Sequence, residues 1–454
     1  NTEEAPYKGT FDGNGQKVVY MRAEINMDDP EHKFAGLFGV VDGGTVRNLT
    51  VLGKVIQGYG NYDAEDGREQ FCAGSGGIAG YLKEGQIINC INYARTTMEG
   101  EAMYRNSGGI VGINRGLIMH CENYGKLSTV VGFAQNHVGG IVGLNYGANA
   151  QVLNSVNYAT VQGYFYVGGI AGAVKSGSEI NSCCNYGTVK GNAYLGGIAG
   201  RLSTTGVYST GSGKECAIQN VYNLGNVTGY GTGSGIEKGG IVGQMGYENW
   251  TQEATPPMPL ISNVYSTADF GVERRVGAIV GYMLSGRYGT IYGRRGENSY
   301  LSPIGSINNR AVKIEGESLM LTDDQLKSAG MIEKLGSAFT MSVPAYDTLN
   351  NGYPKLTWQG LPSDILSKID DAYLELNGWL GDTNRRRYGK NYAQIESLVE
   401  TYKEKLGTVI TQEDLDRIMT EAREKLGAVK PAAQEDTELA EAIDNGVIAL
   451  QEYY

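Results

Sequence analysis

The sequence predicts a mainly β protein: a right-handed parallel β-helix, a solenoid of about eight coils, with a C-terminal cap and then a small three-helix bundle. Three marks recur along the first two thirds of the chain: a glycine phrase, a segment with asparagine and tyrosine, and a short β-branched run. Units this similar to one another become stable by stacking, which is typical of a solenoid.

The glycine phrase is the first mark, and it has the form Gly-Ile-x-Gly with small variations. Its eight copies begin at Gly36, Gly77, Gly109, Gly140, Gly169, Gly197, Gly240 and Ala278. The apolar runs between these copies have the length of strands and lack a helical period. Three such runs in each unit indicate a parallel β-helix, and stacked coils would form a rod about 40 Å long.

The second mark follows each phrase, and it predicts columns of identical side chains. Equivalent residues of a parallel β-helix lie above one another, so we expect an amide ladder and a stack of rings. The ladder residues are Asn92, Asn123, Asn157, Asn185 and Asn223, and the stacked rings are Tyr93, Tyr124, Tyr158 and Tyr186. We expect these asparagines at a corner of each coil, because Asn and Gly tolerate a positive φ. We expect the paired glycines to let a large side chain lie close to the backbone.

Three of the six cysteines share one repeat position: Cys90, Cys121 and Cys183, with Ser155 in the coil between. A position shared with serine is typical of a small buried core residue. A disulfide between Cys90 and Cys121 is the alternative, because neighbouring coils bring α-carbons within bonding range. Zinc is disfavoured, since the sequence has three histidines and no Cys-x-x-Cys pair.

The glycine phrase with its asparagine partner resembles the GLUG motif of bacterial surface and secreted proteins. Segments 7–39 and 350–358 resemble the entry and exit of such arrays, so the resemblance covers roughly Tyr7 to Trp358. It implies an extracellular repeat array at the bacterial cell surface or secreted, and it says little about activity. GLUG repeats also accompany immunoglobulin A peptidases, but the zinc motif His-Glu-x-x-His of those enzymes is absent from this sequence.

A cap is predicted at the C-terminal end of the array, because the unpaired strand edges of an open β-helix would pair with other chains. We assign residues 1–318 to the β-helix and residues 319–360 to its C-terminal cap. The cap starts with the capping-box pattern Thr322-x-x-Gln325, which predicts a short helix to about Leu335. Segment 350–358 is predicted to be a final strand.

Residues 361–430 are predicted to form the three-helix bundle, and residues 431–454 a linker with the start of a further helix. The second helix carries an apolar stripe with helical spacing, namely Tyr392, Ile395, Val399, Tyr402 and Leu406. Thr411 with Asp414 is an N-cap pair, and the run Arg385–Arg387 is expected in a loop. This region distantly resembles the FIVAR-type modules that serve as spacers or glycan-associated units on bacterial surface proteins.

The net charge of -11 argues against nucleic acid and anionic membranes as partners, because both require clustered Lys and Arg. The chain has no run approaching the roughly 18 apolar residues of a membrane span. We therefore predict no nucleic-acid partner, no membrane insertion of this chain, no cofactor and a monomer.

The pattern of acidic residues argues against an enzyme, since sugar-cleaving β-helices need converging carboxylates. Between residues 102 and 247 the acidic residues are Glu122, Glu179, Glu215 and Glu237, which occur singly. No catalytic residue is assigned. The insertion with Asp63, Glu65 and Asp66 is a weak calcium candidate, and a solvated loop is the alternative.

Tyr166, Tyr194 and His137 share the position just before the glycine phrase and are the ligand-binding candidates. We expect this position to face solvent or a coil edge, where rings stack against sugars or a partner protein. Packing on neighbouring rings is the alternative. The sequence thus predicts a non-enzymatic cell-surface protein with a rigid surface that adheres to host or cell-surface proteins or glycans. An accessory carbohydrate-active module and a mechanical stalk are the alternatives.

Overall fold

The computed structural model describes residues 2–20, 22–25, 33–57, 73–98, 105–128, 136–204, 214–230, 236–247, 257–271, 276–295 and 302–432. The chain divides into two compact units, Asn1–Leu356 and Thr357–Tyr454. The first unit consists mainly of strands and the second of helices. The boundary predicted from the sequence, after residue 360, lies slightly further along the chain.

Three parallel sheets make up most of the first unit, and we number them by size. Sheet 1 contains 21 strands: Thr10–Asp12, Lys17–Val19, Phe38–Leu52, Ala79–Asn92, Val111–Asn114, Leu117–Met119, Glu122–Asn123, Val142–Tyr146, Gln151–Leu153, Val156–Asn157, Ala171–Lys175, Glu179–Asn181, Cys184–Asn185, Ala199–Thr204, Ala217–Asn223, Val242–Tyr247, Leu260–Ser266, Val280–Tyr288, Ile291–Arg294, Ile304–Ile314 and Ser318–Leu321. Sheet 2 contains eight strands: Phe34–Ala35, Ala73–Ser75, Arg105–Gly108, His137–Gly139, Phe165–Gly168, Ala193–Gly196, Lys238–Gly239 and Val276–Gly277. Sheet 3 contains seven strands: Ala23–Ile25, Lys54–Gln57, Arg95–Met98, Leu127–Ser128, Val161–Gln162, Val189–Gly191 and Val227–Gly229.

Successive repeats pair in parallel and in register. In sheet 1, Val111 lies beside Val142, Val142 beside Ala171, and Ala171 beside Ala199. Sheets 2 and 3 follow the same rule, and each repeat contributes first to sheet 2, then to sheet 1 and then to sheet 3. The protein is therefore mainly β with large parallel sheets, and each side chain finds its equivalent one repeat away.

The core lies between the sheets and is built from equivalent aliphatic residues. The isoleucines of the glycine phrases are fully buried: Ile78, Ile110, Ile141, Ile170, Ile198, Ile241 and Ile279. A second apolar cluster lies between sheets 2 and 3, and it includes Leu127, Val138, Val167 and Leu195. Each such side chain contributes about 2 kcal/mol when it leaves water, so the aliphatic columns are the main source of stability.

The asparagine ladder runs through this core. Asn92, Asn123, Asn157 and Asn185 each donate from Nδ2 to Oδ1 of the next ladder asparagine at 2.8 Å, and Asn223 is the last acceptor. Each amide also bonds to backbone of its own repeat; Asn157 Nδ2, for example, donates to the Ala159 carbonyl at 2.9 Å. All five side chains are fully buried, and these bonds satisfy them without water.

The first glycine of five phrases packs directly against this ladder, namely Gly77, Gly109, Gly140, Gly169 and Gly197. A Cβ on Gly109 would lie 2.4 Å from Asn123 Cγ, and one on Gly140 would lie 2.3 Å from Asn157 Cγ. The Cβ of Gly140 would also lie 2.0 Å from the Gly169 carbonyl oxygen. The side chain that needs the glycine is thus a buried amide and not the large side chain that we expected.

The positive φ angles occur at a different column from the one predicted. The ladder asparagines lie in or at the ends of strands, where φ is negative. The column three residues earlier has φ between 46° and 56°: Asn48, Asn89, His120, Asn154, Ser182, Asn220 and Asn263. Its amides bond along the outside of the sheet, as Asn89 Nδ2 donates to Asn48 Oδ1 at 2.9 Å. The bend therefore uses this outer column, and the inner column fills the core.

The cap contains two short helices, Asp323–Leu326 and Gly330–Leu335, and an antiparallel pair of strands, Phe339–Met341 and Pro354–Leu356. The predicted capping box is present, because Thr322 Oγ1 accepts from Gln325 N–H and Gln325 Oε1 accepts from Thr322 N–H. The single helix predicted to Leu335 is interrupted after Leu326. The predicted strand 350–358 is limited to Pro354–Leu356.

The cap packs along the outer side of sheet 1. The Tyr265 ring lies 6.2 Å from the Phe339 ring and 6.5 Å from the Tyr353 ring. The Tyr186 hydroxyl donates to Asn350 Oδ1 at 2.5 Å, and the Tyr222 hydroxyl lies 2.5 Å from that of Tyr186. Since these tyrosines belong to three successive repeats, the cap covers outward-facing rings on the side of sheet 1.

Within the described residues, the second unit contains four α-helices where three were predicted: Ser363–Asn377, Asp382–Tyr388, Tyr392–Leu406 and Gln412–Gly427. It also has 3₁₀ turns at Thr357–Gly360, Gly378–Leu380 and Gly389–Asn391. Residues 433–454, which include most of the predicted linker and further helix, lie outside the described residues. The predicted stripe of the helix Tyr392–Leu406 is buried, and Thr411 Oγ1 accepts from Asp414 N–H at 3.2 Å. The prediction of a loop at Arg385–Arg387 is wrong. These residues lie in the helix Asp382–Tyr388, because arginine favours helices and glycines bound the segment.

Candidate functional site

The predicted ligand-binding column is largely buried between sheets 1 and 2. Only about 7% of the surface of His137 and of Tyr166 is exposed, and Tyr194 is half-buried. The rings stack on one another, with centroids 5.4 Å apart for His137 and Tyr166 and 5.0 Å apart for Tyr166 and Tyr194. Arg201 covers the column, since its guanidinium lies 5.2 Å from the Tyr166 ring centroid and donates to the Tyr166 hydroxyl.

The imidazole of His137 has a defined protonation state. Its Nδ1 lies 2.8 Å from Asn106 Oδ1, and Asn106 Nδ2 donates to the Ala73 carbonyl. Nδ1 therefore carries the proton. Burial lowers the pKa of His137 well below its usual value, and the positive charges of Lys175 and Arg201 lower it further.

The expectation that this column faces solvent is therefore wrong. Both faces of the Tyr166 ring are covered, one by His137 and the other by Tyr194. A sugar that stacks on an aromatic side chain needs a free ring face. The column contributes to packing between the sheets instead, and Tyr194 is its most accessible member.

The tyrosines of the second mark lie at the surface. Centroid distances are 4.9 Å between Tyr93 and Tyr124, 4.6 Å between Tyr124 and Tyr158, and 5.3 Å between Tyr158 and Tyr186, with interplanar angles of 10° or less. The exposed fraction is 47% for Tyr93 and 39% for Tyr124. Because the rings face one another, this ladder presents ring edges and hydroxyl groups to solvent.

A column of basic residues runs beside the tyrosine ladder, two residues further along each repeat. Lys54 pairs in register with Arg95, and the pairing of Thr96 with Leu127 places Arg95 beside Lys126. Arg95 and Lys126 are exposed and Lys54 is half-buried. We call the surface of Tyr93, Tyr124, Tyr158, Tyr186, Lys54, Arg95 and Lys126 the tyrosine–basic face.

Like charges on neighbouring strands reduce stability, because their Cβ atoms are only about 5 Å apart. Within the described part of the chain, Arg95 and Lys126 form no ion pair that would offset this repulsion. In a protein with a net charge of -11, Arg95 and Lys126 are thus not explained by ion pairing within the described residues. These two side chains provide a local site for an anionic ligand.

The hydroxyl groups of Tyr124 and Tyr158 remain protonated at neutral pH, because their pKa values are raised. Burial raises the pKa of Tyr124, and the hydrogen bond from its hydroxyl to Glu122 Oε2 at 2.8 Å raises it further. Burial likewise raises the pKa of Tyr158, with a smaller contribution from Glu122. The Tyr124 hydroxyl thus already has a carboxylate acceptor, and the attraction for a further carboxylate or sulfate group comes from the positive charges of Arg95 and Lys126.

The basic column was not predicted from the sequence, although an alignment of the repeats contains it. The second residue after each ladder tyrosine is Arg95, Lys126, Thr160 and Thr188 in turn. Aligning the repeats shows the basic residues, but their position beside exposed rings depends on the register of the sheets.

The cysteine column is buried and free of disulfides. Cys90, Cys121 and Cys183 have no exposed surface, and their thiols donate to backbone carbonyls of their own strands. Burial raises the pKa of Cys183, so its thiol stays neutral. The Cys90–Cys121 bridge, which the sequence left as an alternative, is not formed.

The calcium candidates Asp63, Glu65 and Asp66 lie outside the described residues. Within the described part, no group of three or more His, Cys, Asp or Glu side chains is arranged to hold a metal ion. None of the helices described combines the length and apolar character that crossing a bilayer requires.

Comparison with known proteins gives little further information. No family model matches this chain, and no curated protein matches it. Among solved structures, the chain is similar to a candidate immunoglobulin A1 protease from Bacteroides ovatus, with 19% sequence identity and a TM-score of 0.36. The likeness covers 77% of this chain and 77% of that chain. A likeness at this level does not assign an activity.

Proposed function

We propose that the three parallel sheets are the faces of one right-handed parallel β-helix of about eight coils. The support is the register, in which each repeat adds one segment to sheet 2, then sheet 1, then sheet 3. The ladder from Asn92 to Asn223 supports the same fold, because it joins five successive repeats by identical bonds. In this proposal the chain is an extracellular GLUG-type array with a FIVAR-like helical unit.

The proposed function is non-enzymatic adhesion at the bacterial cell surface or after secretion, to host or cell-surface ligands such as glycans. The tyrosine–basic face is the proposed contact surface. One observation carries this choice: stacked tyrosines with exposed edges lie beside a basic column, with Arg95 in the repeat of Tyr93 and Lys126 in the repeat of Tyr124. Tyrosine and arginine are typical of binding hot spots, and the stacked repeats hold them rigidly, which lowers the entropic cost of binding.

A glycan array with the whole chain tests this function. We expect saturable binding by the wild type and a clear loss with Tyr124→Ala, because Tyr124 is central to the exposed ladder. Tyr346→Ala is the matched control, since Tyr346 is 91% exposed and lies in the cap. Equal binding by both variants would exclude the tyrosine–basic face as the contact surface.

The two alternatives give different results in simple assays. An accessory carbohydrate-active module releases reducing or unsaturated sugar from a panel of polysaccharides, which an adhesin does not. A mechanical stalk binds nothing on the array and unfolds only at high temperature. Binding without product release supports the proposed function.

A further inference from the structure

We propose that the ligand of the tyrosine–basic face is an acidic polysaccharide, whose carboxylate or sulfate groups pair with Lys54, Arg95 and Lys126. This inference rests on the proposed adhesive function and specifies its ligand class. It follows from three properties of the face: the spacing of its charges, the orientation of its rings and the chemistry of its hydroxyls.

The spacing of the charges fits a regular linear polymer. Lys54, Arg95 and Lys126 occupy equivalent positions in three successive repeats, about 5 Å apart from strand to strand. A chain of anions that lies along this column meets one cation in each of these three repeats and relieves their mutual repulsion. A single small anion would neutralise only part of the column.

The orientation of the rings disfavours a neutral sugar. Neutral sugars rely on stacking against open aromatic faces, and the faces in this ladder cover one another at 4.6 to 5.3 Å. Edges and hydroxyls remain. The Tyr124 hydroxyl already donates to a carboxylate oxygen, Glu122 Oε2, and acidic groups are stronger acceptors for such a hydroxyl than neutral hydroxyls are.

The cap provides an internal example of this chemistry. Where the cap covers the column next to Tyr186, tyrosine hydroxyls donate to oxygen acceptors, namely Asn350 Oδ1 and the Pro354 carbonyl. The ladder from Tyr93 to Tyr158 lies beyond the cap, with Tyr93 and Tyr124 the most exposed. At Tyr124 the same type of donor is paired with a carboxylate oxygen, Glu122 Oε2, at 2.8 Å.

The test measures binding of the whole chain to immobilised heparin, polygalacturonate and neutral dextran, with poly-glutamate as an acidic polypeptide. We expect binding to heparin or polygalacturonate, none to dextran, and weaker binding when NaCl rises from about 0.05 M to about 0.5 M. We expect the double variant Arg95→Gln/Lys126→Gln to bind about tenfold more weakly, because it loses two charge-assisted contacts.

The matched control is Lys8→Gln/Lys214→Gln, which removes the same charge from two exposed lysines elsewhere on the first unit. The proposal is overturned if both double variants bind alike, if dextran binds as well as the acidic sugars, or if poly-glutamate binds more tightly than either of them. Binding to neutral sugars alone would leave the adhesive function standing with another ligand class. An absence of binding to any sugar would overturn both.

Discussion

A methyl group added at Gly140 would lie against the rigid backbone of the next repeat. We predict that Gly140→Ala lowers the free energy of unfolding by about 3 kcal/mol or more, because the new Cβ meets rigid backbone and a buried amide. The closest atom is the Gly169 carbonyl oxygen, at 2.0 Å. Urea unfolding followed by circular dichroism measures this change.

Gly330→Ala is the control for that substitution. Gly330 opens a helix in the cap, and the nearest atom to its new Cβ would be Ser328 Oγ at 3.9 Å. We expect a gain of about 0.5 kcal/mol, since alanine restricts the unfolded chain and favours the helix. A similar loss of stability in both variants would contradict the packing role of Gly140.

His137 makes stability depend on pH in a defined window. Its pKa is below the ordinary value of 6.5 in the folded state, so the unfolded chain binds the proton first as pH falls. The stabilising contribution is complete above pH 6.5 and is lost below it, at up to about 1.4 kcal/mol per pH unit. Urea unfolding at pH 7.0 and at about pH 5.5 measures the difference.

His137→Asn serves as the comparison, because asparagine occupies the same column at Asn106. The variant should lose less stability than the wild type between the two pH values. The carboxylates with lowered pKa values, such as Asp12 and Glu317, titrate below this window. A pH dependence that is identical in both proteins would show that His137 is not the titrating group.

At the scale of elements, the cap depends on a few hydrogen bonds to outward-facing tyrosines of sheet 1 and its neighbouring ladder. Asn350→Ala removes the acceptor shared by the hydroxyls of Tyr186 and Tyr222. Since Tyr222 is fully buried, we expect local opening of the cap to become easier by about 2 kcal/mol. Hydrogen exchange at residues 339–356 should rise about thirtyfold, with little change in the sheets.

Val343→Ala is the control in the cap, because Val343 is 54% exposed. Its exchange pattern should match that of the wild type. If Asn350→Ala also leaves exchange unchanged, the hydrogen bonds to Asn350 do not hold the cap in place.

The strands of the repeats could be predicted from the sequence, whereas the irregular elements of the cap and of the helical unit could not. The strand character of the runs around Val111, Val142 and Ala171 followed from length and composition. The break between Leu326 and Gly330 did not, because several turn and helix conformations have similar local energies. The helix around Arg385 was missed for the same reason.

At the scale of the whole molecule, the two compact units have separate cores. We predict that residues 1–356 and residues 357–454 each fold when expressed alone, with cooperative thermal transitions by circular dichroism. The helical unit has its own buried stripe, including Ile395, Val399 and Ile418. A fragment 357–454 that lacks a cooperative transition would contradict this division.

A cut inside the array is the informative comparison. Residues 1–212 would end with unpaired strand edges and without the cap, so we expect this fragment to aggregate. Soluble, cooperative folding of that fragment would show that the repeats are more independent than their shared columns indicate.

The sequence by itself determined the repeat, the columns and the chemistry of each column, because identical residues at regular spacing can only be buried together by stacking. The buried asparagine ladder and the cysteine positions followed from that regularity. Only the tertiary structure decided which columns face solvent: His137 and Tyr166 are covered where two sheets meet, whereas Tyr93, Tyr124 and the basic column lie outside. Exposure depends on the angles between sheets and on where the cap packs, and both arise from contacts between residues far apart in the chain.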